Sequence, residues 1–187
     1  LYRHYGLDQP LYIQYFKYLK GFFTGNFGPS FIYEGRNPTE IIAKAFPISL
    51  LLGLQALALA LSVGIFLGAS AAAWQNTAWD RTAIFITVLT TSIPSFLLAT
   101  FLQYIFAIQL GWMPVARWGL WRHSILPTIA LAAMPTAFIA RLLRNSMVAV
   151  LKESYIQTAK AKGLSYFQII RRHALPNALL PVIGYLG

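Results

Sequence analysis

The sequence predicts an all-α integral membrane protein, and three observations lead there. Hydrophobic residues make up 57% of the 187 and charged residues only 11%, with a mean hydropathy of +0.57. Soluble domains carry about 25% charged residues. Residues 46–74, 83–110 and 125–140 contain no charge at all. The basic residues gather in one segment, with about half of them between Arg141 and Arg172. A net charge of +10 would also suit a nucleic-acid reader. Such proteins set Lys and Arg along a solvent-exposed groove, whereas here they adjoin apolar runs. Lipid is the main solvent that this composition fits.

Residues 1–45 read as an extracytoplasmic segment ahead of the first apolar run. Within it, 11–23 (LYIQYFKYLKGFF) is rich in aromatics, and Lys17 and Lys20 share one helical face. That pattern fits an amphipathic helix lying at the interface, or a small helix packed on the membrane domain. Gly25, Gly28, Pro29, Gly35, Asn37 and Pro38 mark turns, and Thr39-Glu40 opens a short helix leading into the first span.

The run 46–74 exceeds the ~20 residues that cross a bilayer. Its Gly64-x-x-x-Gly68 allows close helix approach, or reflects how common glycine is in membrane helices. Residues 75–81 (QNTAWDR) form a short polar hairpin. The second span, 83–110, is interrupted by Pro94, which removes a backbone donor and kinks a helix. The loop 111–124 (GWMPVARWGLWRHS) is dense in tryptophan, which suits a membrane interface. A third span, 125–140, is broken by Pro127 and Pro135. Prolines in two successive spans mark Pro94 and Pro135 as a translocation path or hinge, or as packing kinks.

Orientation follows from the cations. Arg141, Arg144, Lys152, Lys160, Lys162, Arg171 and Arg172 outnumber Arg81 in the first hairpin and Arg117 and Arg122 in the second loop. The positive-inside rule puts the segment 141–172 in the cytoplasm. Counting back through three spans leaves residues 1–45 outside. The start at Leu1 and the end inside a new apolar run predict a fragment, with a first span missing and a fourth only begun.

The stretch 155–181 (YIQTAKAKGLSYFQIIRRHALPNALLP) carries the most information. Ser154-Tyr155 opens a helix whose Thr158, Ala159 and Ala161 are small enough for another protein to approach. Gly163 suits the left-handed residue that ends it. Ser165 with Gln168 makes a capping box, and Leu164 with Ile169 a hydrophobic staple. Pro176 stops or bends the second helix. A rigid elbow of this kind can dock as a knob and transmit force into a membrane helix. The other reading is a basic loop that holds anionic lipid headgroups, at about 1 kcal/mol per cation.

QTAKAKG followed by nine residues and HALP resembles the cytoplasmic Glu-Ala-Ala loop of permeases in binding-protein-dependent ABC importers. Ala159, Gly163, Leu175 and Pro176 match that pattern. Gln157 stands for the Glu, Thr158 for the first Ala and His173 for the Ile. These departures resemble the variant of the dipeptide, oligopeptide and nickel permeases. GLDQPLYIQYFKYL, GNFGPSF, the stretch FPISLLLGLQALALALSVGIFLGASAAAWQNTAWD and RHALPNALLPVIGYLG extend the likeness to the B-type oligopeptide permease subunits, over nearly the whole chain.

The resemblance implies a type I ABC importer transmembrane domain over 46–187, truncated, with its coupling loop at about 144–177. It implies a bacterial inner-membrane, multi-pass subunit that takes up oligopeptides and pairs with a second permease. Two cytoplasmic ATPases and an extracytoplasmic peptide-binding protein complete the assembly. Gln157, Thr158, Ala159, Lys160, Ala161, Lys162, Gly163, Leu175 and Pro176 are then the ATPase-coupling residues. Dipeptide or nickel uptake by the same architecture is the nearest rival, and a motor-independent channel-like protein is the rival from another class.

No catalytic chemistry is expected of the chain. It has no G-x-x-x-x-G-K-[ST] phosphate loop, so ATP would be used by partner subunits and no cofactor is bound here. His4, His123 and His173 lack metal-ligand spacing, and zero cysteine excludes thiolate sites. The five acids, Asp8, Glu34, Glu40, Asp80 and Glu153, all lie outside the expected spans. A proton-coupled carrier usually keeps an ionisable group within them.

Overall fold

The computed structural model describes residues 8–28, 30 and 37–186, and the elements among them are all helical. Two compact units divide at residue 51. In the first, α1 (Leu11–Thr24) starts at Pro10, whose carbonyl accepts from the Ile13 N–H at 2.9 Å. It ends at Gly25, with φ of 69°. None of its residues is buried, and Leu11, Tyr12, Phe16 and Phe23 are all exposed. The turns expected at Pro29 and Gly35 lie outside the described residues. Thr39 donates its hydroxyl to the Gly25 carbonyl at 2.8 Å, which closes the connection after α1.

The second helix, α2 (Pro38–Ala73), begins well before the apolar run. The short helix expected at Thr39-Glu40 is its first turn, and Pro47 lies inside it. Pro38 fits an N-terminal position, where its missing N–H has no intrahelical partner to lose.

In the second unit, α2 runs on to Ala73. It is followed by α3 (Ala78–Ser92), α4 (Ser95–Leu102), a π-helical turn at Gln103–Gln109 and α5 (Arg122–Val150). Both α2 and α5 are long and apolar enough to cross a membrane. The expected second span is instead a pair of helices, Ala78–Ser92 and Ser95–Gln109, bent by 101° at Pro94. Proline lacks the N–H that would extend α3, and its own carbonyl starts α4 by accepting from Leu97 and Leu98. The third span is not broken: α5 passes through both Pro127 and Pro135. Each proline costs one backbone bond, and Thr136 donates its hydroxyl back to the Ala132 carbonyl at 2.7 Å beside the second.

The interior of this unit is built from small residues. Ala56, Ala60 and Ala72 of α2 meet Ala132, Ile139, Leu143 and Met147 of α5 in one buried cluster. Gly64 and Gly68 are the closest points of that seam. A Cβ on Gly68 would stand 2.5 Å from the Ala140 carbonyl oxygen, and one on Gly64 would stand 2.9 Å from Ile139 Cγ2. The small-xxx-small spacing is therefore a helix contact here. Leu54, Phe66, Phe85, Phe101 and Met134 point outward, the arrangement that lipid rewards.

Candidate functional site

After α5 the chain turns through 151–153 into α6 (Ser154–Ala161), and then through Gly163 into α7 (Tyr166–Ile169). The turn is a Schellman motif. Gly163 takes φ of 80°. Its N–H bonds the Lys160 carbonyl at 2.9 Å, and the Leu164 N–H reaches back to the Ala159 carbonyl at 3.3 Å. Only glycine adopts that conformation without a Cβ penalty.

Ser165 then caps α7. Its Oγ accepts from the Gln168 N–H at 3.4 Å, while Gln168 Oε1 accepts from the Ser165 N–H at 3.0 Å. The two bonds satisfy two of the donors that a helix start leaves unpaired. Leu164 and Ile169, the expected staple, both join the core cluster.

Pro176 does not stop the second arm. A π-helical turn at Ile170–Ala174 precedes it, and helix continues as α8 (Leu175–Ala178) and α9 (Leu180–Leu186). The wider π turn moves the preceding carbonyls away from the proline ring, where a regular α turn would clash.

The elbow has an inner and an outer face. Ile156 at 0% exposure, Ala159 at 6% and Ile169 at 1% are buried in the chain's own core. Ala159 is small because the interior is close, and it is not presented outward. Gln157, Thr158, Lys160, Ala161, Lys162 and Gly163 are exposed, as is Pro176, while Leu175 is half-buried against the core. Seven of the nine expected coupling residues thus lie on the surface. Pro94 sits at the helix break, and both α3 and α4 pack on α5, which carries Pro135. A cavity of about 230 Å³ lies beside the N-terminus of α5, lined by Gln103, Arg117, Arg122 and His123 among others; neither proline lines it.

Sequence reasoning missed an ion pair. Asp80, expected in a polar hairpin, lies in the first turn of α3 with 2% of its side chain exposed. Arg144 of α5 grips it in a fork: Nε donates to Oδ1 at 3.0 Å and Nη2 to Oδ2 at 2.7 Å. The Asn76 N–H adds a third bond to Oδ2 at 2.9 Å, from a residue in the left-handed region. Removing one partner of a buried pair leaves an uncompensated charge and costs about 3–5 kcal/mol. The Thr77-x-x-Asp80 spacing hints at a helix start, and Thr77 does accept from the Asp80 N–H. Nothing local names Arg144 as partner.

The same turn also holds the elbow. Tyr166 donates its hydroxyl to the Ala73 carbonyl at 2.7 Å, and burial pushes the phenol's pKa above its usual value. Gln55 and Thr128 join α2 to α5 by a side-chain bond of 3.0 Å. It is a second polar link that no spacing revealed.

Three relatives are similar along almost the whole chain. The oligopeptide transport system permease protein of Haemophilus influenzae is 48% identical over 185 residues, and that of Escherichia coli K12 45% over the same length. The dipeptide transport system permease protein of Bacillus subtilis is 48% identical over 184. Each alignment takes in 98% of this chain and 60% of the relative, so the chain spans about three-fifths of the length of the curated relatives it matches. The family described as the binding-protein-dependent transport system inner membrane component matches residues 64–187, from the glycine seam of α2 through both arms of the elbow. This chain belongs to that family of inner-membrane transport components.

Proposed function

We propose that this chain is part of a permease subunit of an ATP-driven importer, and that it moves oligopeptides delivered by an extracytoplasmic binding protein. The observation that carries the reading is the elbow. Its Schellman turn and capping box hold two short helices rigidly and offer Gln157, Thr158, Lys160, Ala161 and Lys162 to a partner. Those residues rest on a buried inner face, so a push on the elbow reaches α5 rather than being lost in a flexible loop. The printed functions of the similar permeases support the choice of peptides.

In this reading the elbow faces the cytoplasm and docks in a groove of one of two ATPase subunits, which bind and hydrolyse ATP. A second, similar permease completes the membrane pathway. This chain contributes no catalysis. The helix break at Pro94 and Pro135 of α5 line or hinge the path.

Dipeptide import is the second reading, because the Bacillus subtilis dipeptide permease is as similar as the oligopeptide one, at 48%. Competition for uptake by peptides of two and of five residues separates the two.

The absence of cysteine from the chain makes the principal test direct. A single Ala161→Cys in the full-length protein is crosslinked to a cysteine in the groove of the candidate ATPase. Efficient crosslinking that changes with nucleotide is the expected result. No crosslink in a complex shown to be assembled would leave a motor-independent membrane protein with a lipid-facing basic loop.

A further inference from the structure

We propose that Asp80, Arg144 and Tyr166 are positioning residues that clamp the elbow to the α2–α3 turn, so that displacement of the elbow is passed into both helices. The inference deepens the transport reading and rests on it for its functional arm. Its structural arm stands alone.

Two elements from elsewhere in the chain reach the few residues between Ala73 and Asp80, and bonds within and beside the turn brace it. From α5, the helix that leads into the elbow, the Arg144 fork holds both oxygens of Asp80. From the elbow's second arm, the Tyr166 hydroxyl holds the last carbonyl of α2. Within the turn itself, the Asn76 N–H closes on the same carboxylate, and Trp79 donates its indole N–H to Ser70 at 3.1 Å. The turn is therefore tied to the chain on both sides of α6, 64 residues away on one side and 93 on the other.

A short turn between two membrane helices needs none of this to stay folded. Fixing a carboxylate in a bidentate fork with a third bond restricts its position and its direction. Among the described residues this is the sole ion pair, and it joins two elements rather than decorating one. The consequence is mechanical. With the fork closed, the elbow, the end of α5 and the α2–α3 turn form one body. With it open, displacement of the elbow still reaches α5 through the buried Ile156 and Ile169, but passes to the α2–α3 turn only through the single Tyr166 bond.

The test uses the full-length protein with its partner subunits. Spin labels on Cys introduced at the exposed Gln75 and Phe167, neither of them among the docking residues, report the distance from turn to elbow without any transport. Asp80→Asn and Arg144→Gln are each expected to broaden that distance distribution. They should also lower peptide moved per ATP hydrolysed by roughly two- to thirtyfold, the range produced by substitutions along a coupling path. Tyr166→Phe, which removes a single bond, should broaden it less. The exchange Asp80→Arg with Arg144→Asp should restore both readouts part-way.

An unchanged distance distribution in every variant overturns the clamp, whatever happens to uptake. So does a proportional fall of uptake and ATP hydrolysis, which marks plain destabilisation. If the unsubstituted complex shows no ATP-driven uptake, the transport reading fails, and the distance measurement still decides whether the clamp exists.

Discussion

Gly68→Ala adds one methyl group at the tightest point between α2 and α5. Two effects oppose each other. Replacing glycine by alanine inside a helix gains roughly 0.5–1 kcal/mol from backbone entropy. Against this, the new Cβ would stand 2.5 Å from the Ala140 carbonyl oxygen and 3.1 Å from Leu143 Cβ. Ordinary contact begins at 3.4 Å, so the helices must part locally by about 0.9 Å. The obstacle is backbone and cannot rotate away. A gap of 0.5–1 Å forfeits a quarter to a half of each dispersion well along the seam, and overpacking of this kind costs about 1–3 kcal/mol. The net expectation is a loss of about 1–2 kcal/mol. Gly53→Ala is the internal control, because its Cβ would meet nothing within 4 Å. It should be neutral or stabilising by up to about 1 kcal/mol. Reversible unfolding of both variants in mixed micelles measures the difference directly. If Gly68→Ala is as stable as Gly53→Ala, the seam is not close-packed and the reasoning fails.

Three further outcomes follow from the elbow. On the transport function proposed above, Gly163→Val should abolish peptide uptake in the assembled complex by forcing a β-branched residue to φ of 80°, a strain of about 1–3 kcal/mol. Gly163→Asn should retain most uptake, since asparagine tolerates that region and nothing lies within 4 Å of the new Cβ. Equal loss in both would point to the turn's surface rather than its conformation. Ser165→Ala removes one half of the capping box and should cost about 1 kcal/mol, seen as faster amide exchange at Gln168 and Ile169; unchanged exchange there would count against the cap. The Tyr166 phenol must keep its proton to hold Ala73, and burial raises its pKa above 10.0. That contribution is therefore full below the ordinary tyrosine range and fades as pH rises through the raised value. A difference absorbance titration against Tyr166→Phe should show the missing phenolate appearing above pH 10.0, and a normal midpoint would remove the burial argument.

What could be read from the sequence was local. Gly163, Ser165 and Gln168 act within four residues of one another, so their spacing alone specifies the turn and the cap. The apolar runs show where lipid is the solvent, and α2 and α5 follow. Pro94 announces a break but not its 101° angle, and both flanking helices pack on α5, far away in sequence. Pro135 carries the same signal and produces no break, and α5 runs through it. The π turn ahead of Pro176 has no sequence period of its own. Asp80 and Arg144 stand 64 residues apart, and no periodicity connects them. The small side chain of Ala159 suggests a docking surface, and the same small size lets it be buried. Size alone does not say which side the neighbour is on.

The break at Ile93–Pro94 carries a consequence for the surroundings of the chain. Proline has no hydrogen to give to the Thr90 carbonyl, and α3 ends there, so the last carbonyls of α3 have no next turn to pair with. The hydroxyls of Thr90, Thr91 and Ser92 bond carbonyls further back in the same helix, at Ile86, Thr87 and Val88, and not these last ones. Hydrocarbon offers them nothing, and each unpaired group there costs several kcal/mol. If the break lies at hydrocarbon depth, water or polypeptide has to stand against it, and that side of the chain is turned away from lipid.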